Sequence, residues 1–390
     1  MRSHKKKNKI DPVRIITVVI SAVLIFIGNR IAVSDRQLLS HPETAARAKV
    51  IELTYSYDDN HEDNNYYSTF QYFNAEILSG SHKGEVVESY QQMNSYNDTD
   101  ERMIRPGDRV ILYNYAIGTD LDEWVFGSYA RFDNVLVLGI IYLVLLIFLG
   151  RGKGINTIIA LAYTCLAVFC VFLPAVINGK NIYALTAVVC IFIIVMTLLI
   201  TNGASEKSLC TMLGCGAGVL SAAILSFIFD RWMHLSGIID EHSIYIKLLD
   251  SEKGINLRAL IFAMITIGAM GAVMDVAMDI ASSLYEIKYH APQISRKELF
   301  KSGLNIGRDV MGTMANTLVL AYIGSSLCNI ILRVSYAGSI MELVNTESIA
   351  VELLQAITGS LGILLTIPLT ALLSCAVYND RSKHASENKD

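Results

Sequence analysis

Charge is scarce in this chain. Asp, Glu, Lys and Arg together make up 17% of its 390 residues, where a soluble domain carries about 25%. The shortage is local: residues 34–133 have an ordinary soluble composition, while 134–378 hold long apolar runs of the length that crosses a bilayer. Cysteine is absent from 34–133, so no disulfide framework holds that region together. The seven cysteines lie in or beside apolar runs, form no CxxC, and read as small packing residues. The eight histidines lie outside those runs, which argues against an intramembrane zinc or histidine-ligated haem site. GxxxxGK[ST], HExxH, GxSxG and GxGD are all missing, so neither P-loop hydrolysis, a zincin, a serine hydrolase nor an intramembrane aspartyl protease is indicated. The net charge of −4 is too small and of the wrong sign for a nucleic-acid partner. The expectation is a protein that is not an enzyme, with no cofactor and no bound metal, whose main partner is the lipid bilayer.

What is present divides the chain into four parts. Residues 1–33 join a basic stretch, MRSHKKKNKIDPVR, to an apolar run from Ile15 to Gly28. If Arg30 snorkels, the span reaches Val33. No small-x-small cleavage site follows, so this reads as an uncleaved signal anchor. Residues 34–133 alternate like strands at Lys49–Tyr55, Phe70–Leu78, Gly84–Ser89, Arg109–Tyr115 and Trp124–Ala130, with turns at 79–84 and at ProGlyAsp 106–108. Five short strands suggest a small all-β domain, an OB-like barrel being the topology to test. Within it, Asp58, Asn60, Glu62 and Asp63 of YDDNHEDNN could ligate calcium, but the EF-hand glycine is missing and a solvated acidic loop is the simpler account. Residues 134–378 supply seven more spans, at about 134–150, 155–177, 182–201, 208–229, 258–281, 310–332 and 353–377. Residues 379–390 form a polar tail.

Lysines and arginines set the orientation. With the N-terminus inside, the cytosolic segments collect Arg2, Lys5, Lys6, Lys7, Arg151, Lys153, Lys207, Lys288, Arg296, Lys297, Lys301 and Arg308. The outer loops hold fewer. Eight spans return the polar tail to the cytosol. The fold class is therefore an all-α polytopic membrane bundle of about eight helices, N-in and C-in, with 34–133 as an extracytoplasmic all-β domain.

Polar groups inside apolar runs cost free energy and so single out candidates. Asp275 and Asp279 are four apart in GAMGAVMDVAMDIASSLYE and share one helix face. A carboxylate at the bilayer centre costs about 3 kcal/mol on insertion scales. The two suit a proton- or cation-coupling pair, or an ion pair with Arg308. Arg308 and Asp309 open the next span, and Asn316, with Thr313 and Thr317, lies about two turns inside it. Gly268, Gly271, Gly307 and Gly312 allow close packing or bending. Ser295 and Glu298 fit a capping box ahead of Leu299, Phe300 and Leu304, the start of an amphipathic cytosolic helix.

The strings GAMGAVMDVAMDIASSLYEI (268–287) and ELFKSGLNIGRDVMGTMANTLVLAYIGSSL (298–327) resemble the YibE/F-like family of bacterial multi-pass membrane proteins. The likeness extends weakly to SGSHKGE (79–85), PGDRV (106–110) and RGKG (151–154). The resemblance implies an inner-membrane location, a β-rich extracytoplasmic region, and motif positions at Asp275, Gly307, Arg308, Asp309, Gly312, Asn316 and Thr317. It implies no substrate. The leading expectation is a secondary-transporter-like permease or permease subunit. The alternative is an envelope scaffold in which residues 34–133 bind a protein partner.

Overall fold

The computed structural model describes residues 12–33, 45–61, 66–94, 102–114, 123–249 and 254–387. The chain is mostly helical, with one small barrel near its N-terminus. It divides into two compact units: 37–148 in one, and 1–36 with 149–390 in the other. Residues 62–65 of the acidic stretch 57–65, the side chains of 59–61, the basic residues 1–11 and the side chains of the tail lie outside the described residues, and 57–61 continue strand rather than loop.

The first unit is a closed five-stranded barrel, built from β1 (Ala45–His61), β2 (Tyr66–Ile77), β3 (Val86–Asn94), β4 (Arg109–Asn114) and β5 (Trp124–Tyr129). The order around it is β1-β2-β3-β5-β4, with β1 closing onto β4, β3 parallel to β5, and the other pairs antiparallel. Alternation dictates the filling: Ala46, Ala48, Val50, Phe73, Ala75, Ile77, Val110, Leu112 and Trp124 point inward. Each strand overlaps its expected segment, and β1 and β2 are longer at the end where they join. Bulges between Val50 and Glu52 and between Leu53 and Tyr55 let so long a strand coil. At ProGlyAsp, Gly107 takes φ 92°, and Asp108 Oδ2 accepts from the Arg105 N–H at 2.9 Å.

The second unit is helical. Its elements are α1 (Pro12–Ala32), the end of α2 (Phe132–Leu166), a π turn (Ala167–Phe172), α3 (Leu173–Ile177), α4 (Ile182–Asn202), α5 (Glu206–Trp232), α6 (Glu241–Leu249), α7 (Leu257–His290), α8 (Arg296–Ser325), α9 (Leu327–Tyr336), α10 (Ile340–Asn345) and α11 (Glu347–Glu387). Helices α5, α7 and α11 pack on one another, α8 lies on α7 and α11, and α4 lies on α5 and α7. Helix α1 is tied on through Tyr163, whose hydroxyl donates to Val18 O at 2.9 Å, and through Asn178, whose amide donates to Ala32 O. Side chains of Asn181, Ser205, Asn256 and Ser295 cap α4, α5, α7 and α8. The Ser295–Glu298 box is complete, but it opens α8 itself rather than a separate amphipathic helix.

Among the described residues, six helices are long and apolar enough to cross a membrane, or seven if one bent pair is a single span. The count differs from the expected eight in two places. The segments expected at 134–150 and 155–177 share one 46-residue stretch, Phe132–Ile177, interrupted by non-helical backbone at Arg151 (φ 49°, ψ −128°). The segment expected at 310–332 is broken: α8 and α9 meet at 65°. The break falls at Ser326, whose hydroxyl donates to the Glu352 carboxylate of α11. It does not fall at Gly307, which packs against Ile367, or at Gly312, which has nothing within 4 Å; both lie inside a continuous helix.

Candidate functional site

Helices α7 and α8 run antiparallel in contact. A Cβ at Gly268 would come within 2.6 Å of Tyr322 Oη, and one at Gly303 within 3.0 Å of Leu284 Cδ1. Asp275 and Asp279 lie between these two levels on α7, and Arg308, Asp309, Gly312, Asn316 and Thr317 lie between them on α8.

On α7 the residues Met264, Gly268, Gly271, Asp275, Asp279 and Glu286 are exposed, while Ala269, Val273, Val276, Ala277 and Ile280 are buried. At 3.6 residues per turn this is one outward face. On α8 the buried residues are Leu299, Gly303, Gly307 and Leu318. The exposed ones include Asn305, Arg308, Asp309, Gly312, Thr313, Asn316 and Thr317, which trace the side of the helix turned from α11. The polar candidates therefore sit on the periphery of the bundle. None of Asp275, Asp279, Arg308, Asp309 and Asn316 makes a hydrogen bond or ion pair among the described residues, so the expected Asp275–Arg308 pair is not formed. Thr313 and Thr317 donate only to backbone carbonyls, at 2.9 and 2.8 Å. Of the glycines, Gly268 packs against Tyr322 and Gly307 against Ile367. Gly271 and Gly312 face open space.

Residues 138–380 match the family described as YibE/F-like protein. The chain belongs to that family. The matched stretch holds both strings that carry the resemblance and every candidate named above, and it leaves out the barrel with its SGSHKGE and PGDRV segments. No curated protein and no solved structure matches the chain.

Two features of this YibE/F-like chain escaped the sequence argument. The first is a hydroxyl row on α11, Thr366, Thr370 and Ser374, all fully buried. Cβ atoms at Gly218 and Gly214 of α5 would overlap Thr366 and Thr370. The signals were a GxxxG at 214–218 and a four-residue hydroxyl repeat in the last span, both marks of tight helix pairing. The second is a cross-strand aromatic cluster on the outside of the barrel. Tyr55 stacks on Tyr72 at 4.3 Å, Tyr57 on Phe70 at 5.1 Å, and Tyr90 lies 5.5 Å from Tyr72. Burial within this cluster raises the Tyr72 pKa.

Proposed function

We propose that this protein is a subunit of a membrane permease whose polar path is completed by another subunit. One observation carries the assignment: Asp275 and Asp279, with Arg308, Asp309 and Asn316, form unpartnered polar faces on the outside of apolar helices. A carboxylate facing lipid at depth costs about 3 kcal/mol or more. Three carboxylates, a guanidinium and an amide on two touching helices need water or protein beside them. In this role Asp275 exchanges a proton or binds a cation, Asp279 lies nearer the helix end, and Asn316 with Thr317 supplies neutral ligands. Arg308 and Asp309 stand at the cytosolic end. The protein has no enzymatic role here.

The orientation follows the same physics. The cationic excess favours N-in and C-in with residues 34–133 outside. Forty-six residues of helix extend for about 70 Å, twice the hydrocarbon core. Phe132–Ile177, broken at Arg151, thus has length for two crossings, which supports eight in all. The barrel order, with β3 parallel to β5, supports the OB-type topology.

The test is flux in proteoliposomes that trap a pH-sensitive dye, driven by an imposed potassium diffusion potential. Proton entry that falls in Asp275→Asn supports the assignment. Entry that exceeds that of empty liposomes in the wild type and is unchanged in the variant refutes proton coupling at Asp275. A second reading, an envelope scaffold, is favoured by the exposed aromatic cluster, with Tyr55 51% and Tyr57 45% exposed. Specific capture of a partner by the full chain, lost in Tyr55→Ala/Tyr57→Ala with flux absent throughout, would favour it.

A further inference from the structure

A cavity of about 760 Å³ opens where the barrel meets the first turn of α2. Its lining brings three arginines together from separate segments: Arg102 from the approach to β4, Arg109 from β4, and Arg131 from the link between β5 and α2. Two carboxylates share the wall, and both are engaged. Asp108 pairs with Arg102 at 3.2 Å. Asp133 is held by Arg109 and, from its other side, by Arg47, each at 3.2 Å. The Arg131 guanidinium lies 5.9 Å from the Tyr129 ring centroid and forms no ion pair among the described residues. Cations therefore outnumber carboxylates, and one of them is uncommitted.

An independent observation points the same way. Gln91 also lines the cavity and is 1% exposed. Its Oε1 accepts from the Ile104 N–H at 3.3 Å, whereas its Nε2 has no hydrogen-bond partner. A buried amide donor left unsatisfied costs about 1–3 kcal/mol. A ligand rich in acceptor oxygens would relieve that cost and meet the arginines as well. Phosphate has this chemistry, with tetrahedral acceptors that guanidinium groups bind in charge-assisted pairs.

The surroundings indicate where such a phosphate comes from. Immediately after Arg131, the residues Phe132, Val135, Leu136, Val137 and Leu138 are exposed and apolar, with Phe132 at 62%. They begin a helix apolar enough to enter a bilayer. We propose that this cavity is a binding site for the phosphate of an anionic phospholipid headgroup, whose acyl chains lie along the start of α2. Basic pockets at the membrane surface hold anionic headgroups in this way. The site does not depend on the permease assignment.

The experiment uses full-length protein in nanodiscs of phosphatidylcholine, with or without phosphatidylglycerol. Lipid retained after release into detergent is read by native mass spectrometry, and barrel unfolding is followed by the fluorescence of Trp124 in a Trp232→Phe background. The expected result is a retained phosphatidylglycerol and a raised unfolding midpoint, both lost in Arg131→Gln and in Gln91→Leu but kept in Lys83→Gln. Lys83 is exposed and outside the cavity, so this control separates the site from general charge. Arg131 is exposed and forms no ion pair among the described residues, so its loss is expected to leave the barrel folded. A third arm adds inorganic phosphate to phosphatidylcholine discs. An equal midpoint shift there would overturn the lipid assignment in favour of free phosphate. No response to either ligand, or equal retention in Arg131→Gln and wild type, would overturn the site altogether.

Discussion

Thr366 of α11 stands against Gly218 of α5 with no room for a side chain between them. A Cβ at Gly218 would overlap Thr366 Oγ1 and come within 2.8 Å of Val273 Cγ1 on α7. Thr366 cannot easily turn aside, because its hydroxyl donates to Gly362 O at 2.7 Å. Three helices meet here, so the position fixes their spacing.

Gly218→Ala is accordingly expected to destabilise the bundle by about 1–3 kcal/mol, the usual cost of overpacking. Gly216 lies on the same helix with nothing within 4 Å of its would-be Cβ. Gly216→Ala is expected to be neutral or to stabilise by up to about 1 kcal/mol through helix propensity. Thermal unfolding of both variants in one detergent checks the contrast. Equal midpoints would refute it.

The cap of α8 gives a local prediction. Ser295 Oγ accepts from the Glu298 N–H at 3.2 Å, and Glu298 accepts from the Ser295 N–H at 3.2 Å. Ser295→Ala removes one of these bonds and is expected to cost about 1 kcal/mol. Hydrogen exchange should quicken at residues 296–299 and stay unchanged beyond 303, where Gly303 packs against Ala371.

Tyr72 stands between Tyr55 and Tyr90 in the aromatic cluster. Tyr72→Ala breaks both contacts and a third, with Tyr57 at 6.3 Å, and is expected to destabilise the barrel by about 1–3 kcal/mol, each aromatic pair being worth about 0.5–1.5. Tyr90→Ala loses fewer neighbours and is expected to cost less. Denaturant unfolding of the full-length variants in a Trp232→Phe background, followed at Trp124, orders the two.

Much of this structure was legible beforehand, because a period of two and a run of uncharged residues are local signals. All five strands, the α8 capping box and the apolar helices follow from such patterns. Breaks were harder to read. At Arg151 a single residue leaves helical geometry, and at Ser326 the turn depends on Glu352 of another helix. Glycine content alone does not separate packing from bending: at Gly307 the missing side chain makes room for Ile367. The carboxylates were identifiable as costly, but periodicity alone does not say which way a face turns. Buried neighbours of Asp275 such as Val273, Val276 and Ala277 settle that it lies on the outer side. The Arg131 cavity joins residues from β3, β4, β5 and α2, a closeness set only by barrel closure.

The central claim is that the outer faces of α7 and α8 meet water or protein in the membrane, not acyl chains. Spin labels at single cysteines replacing Asp279, Gly312 and Asn316, in a cysteine-free background reconstituted in liposomes, measure this directly. The account predicts collisions with a water-soluble nickel reagent exceeding those with oxygen at all three sites, and the reverse at Leu220, an exposed apolar residue of α5. Oxygen-dominated profiles at 279, 312 and 316, matching that at 220, would contradict it.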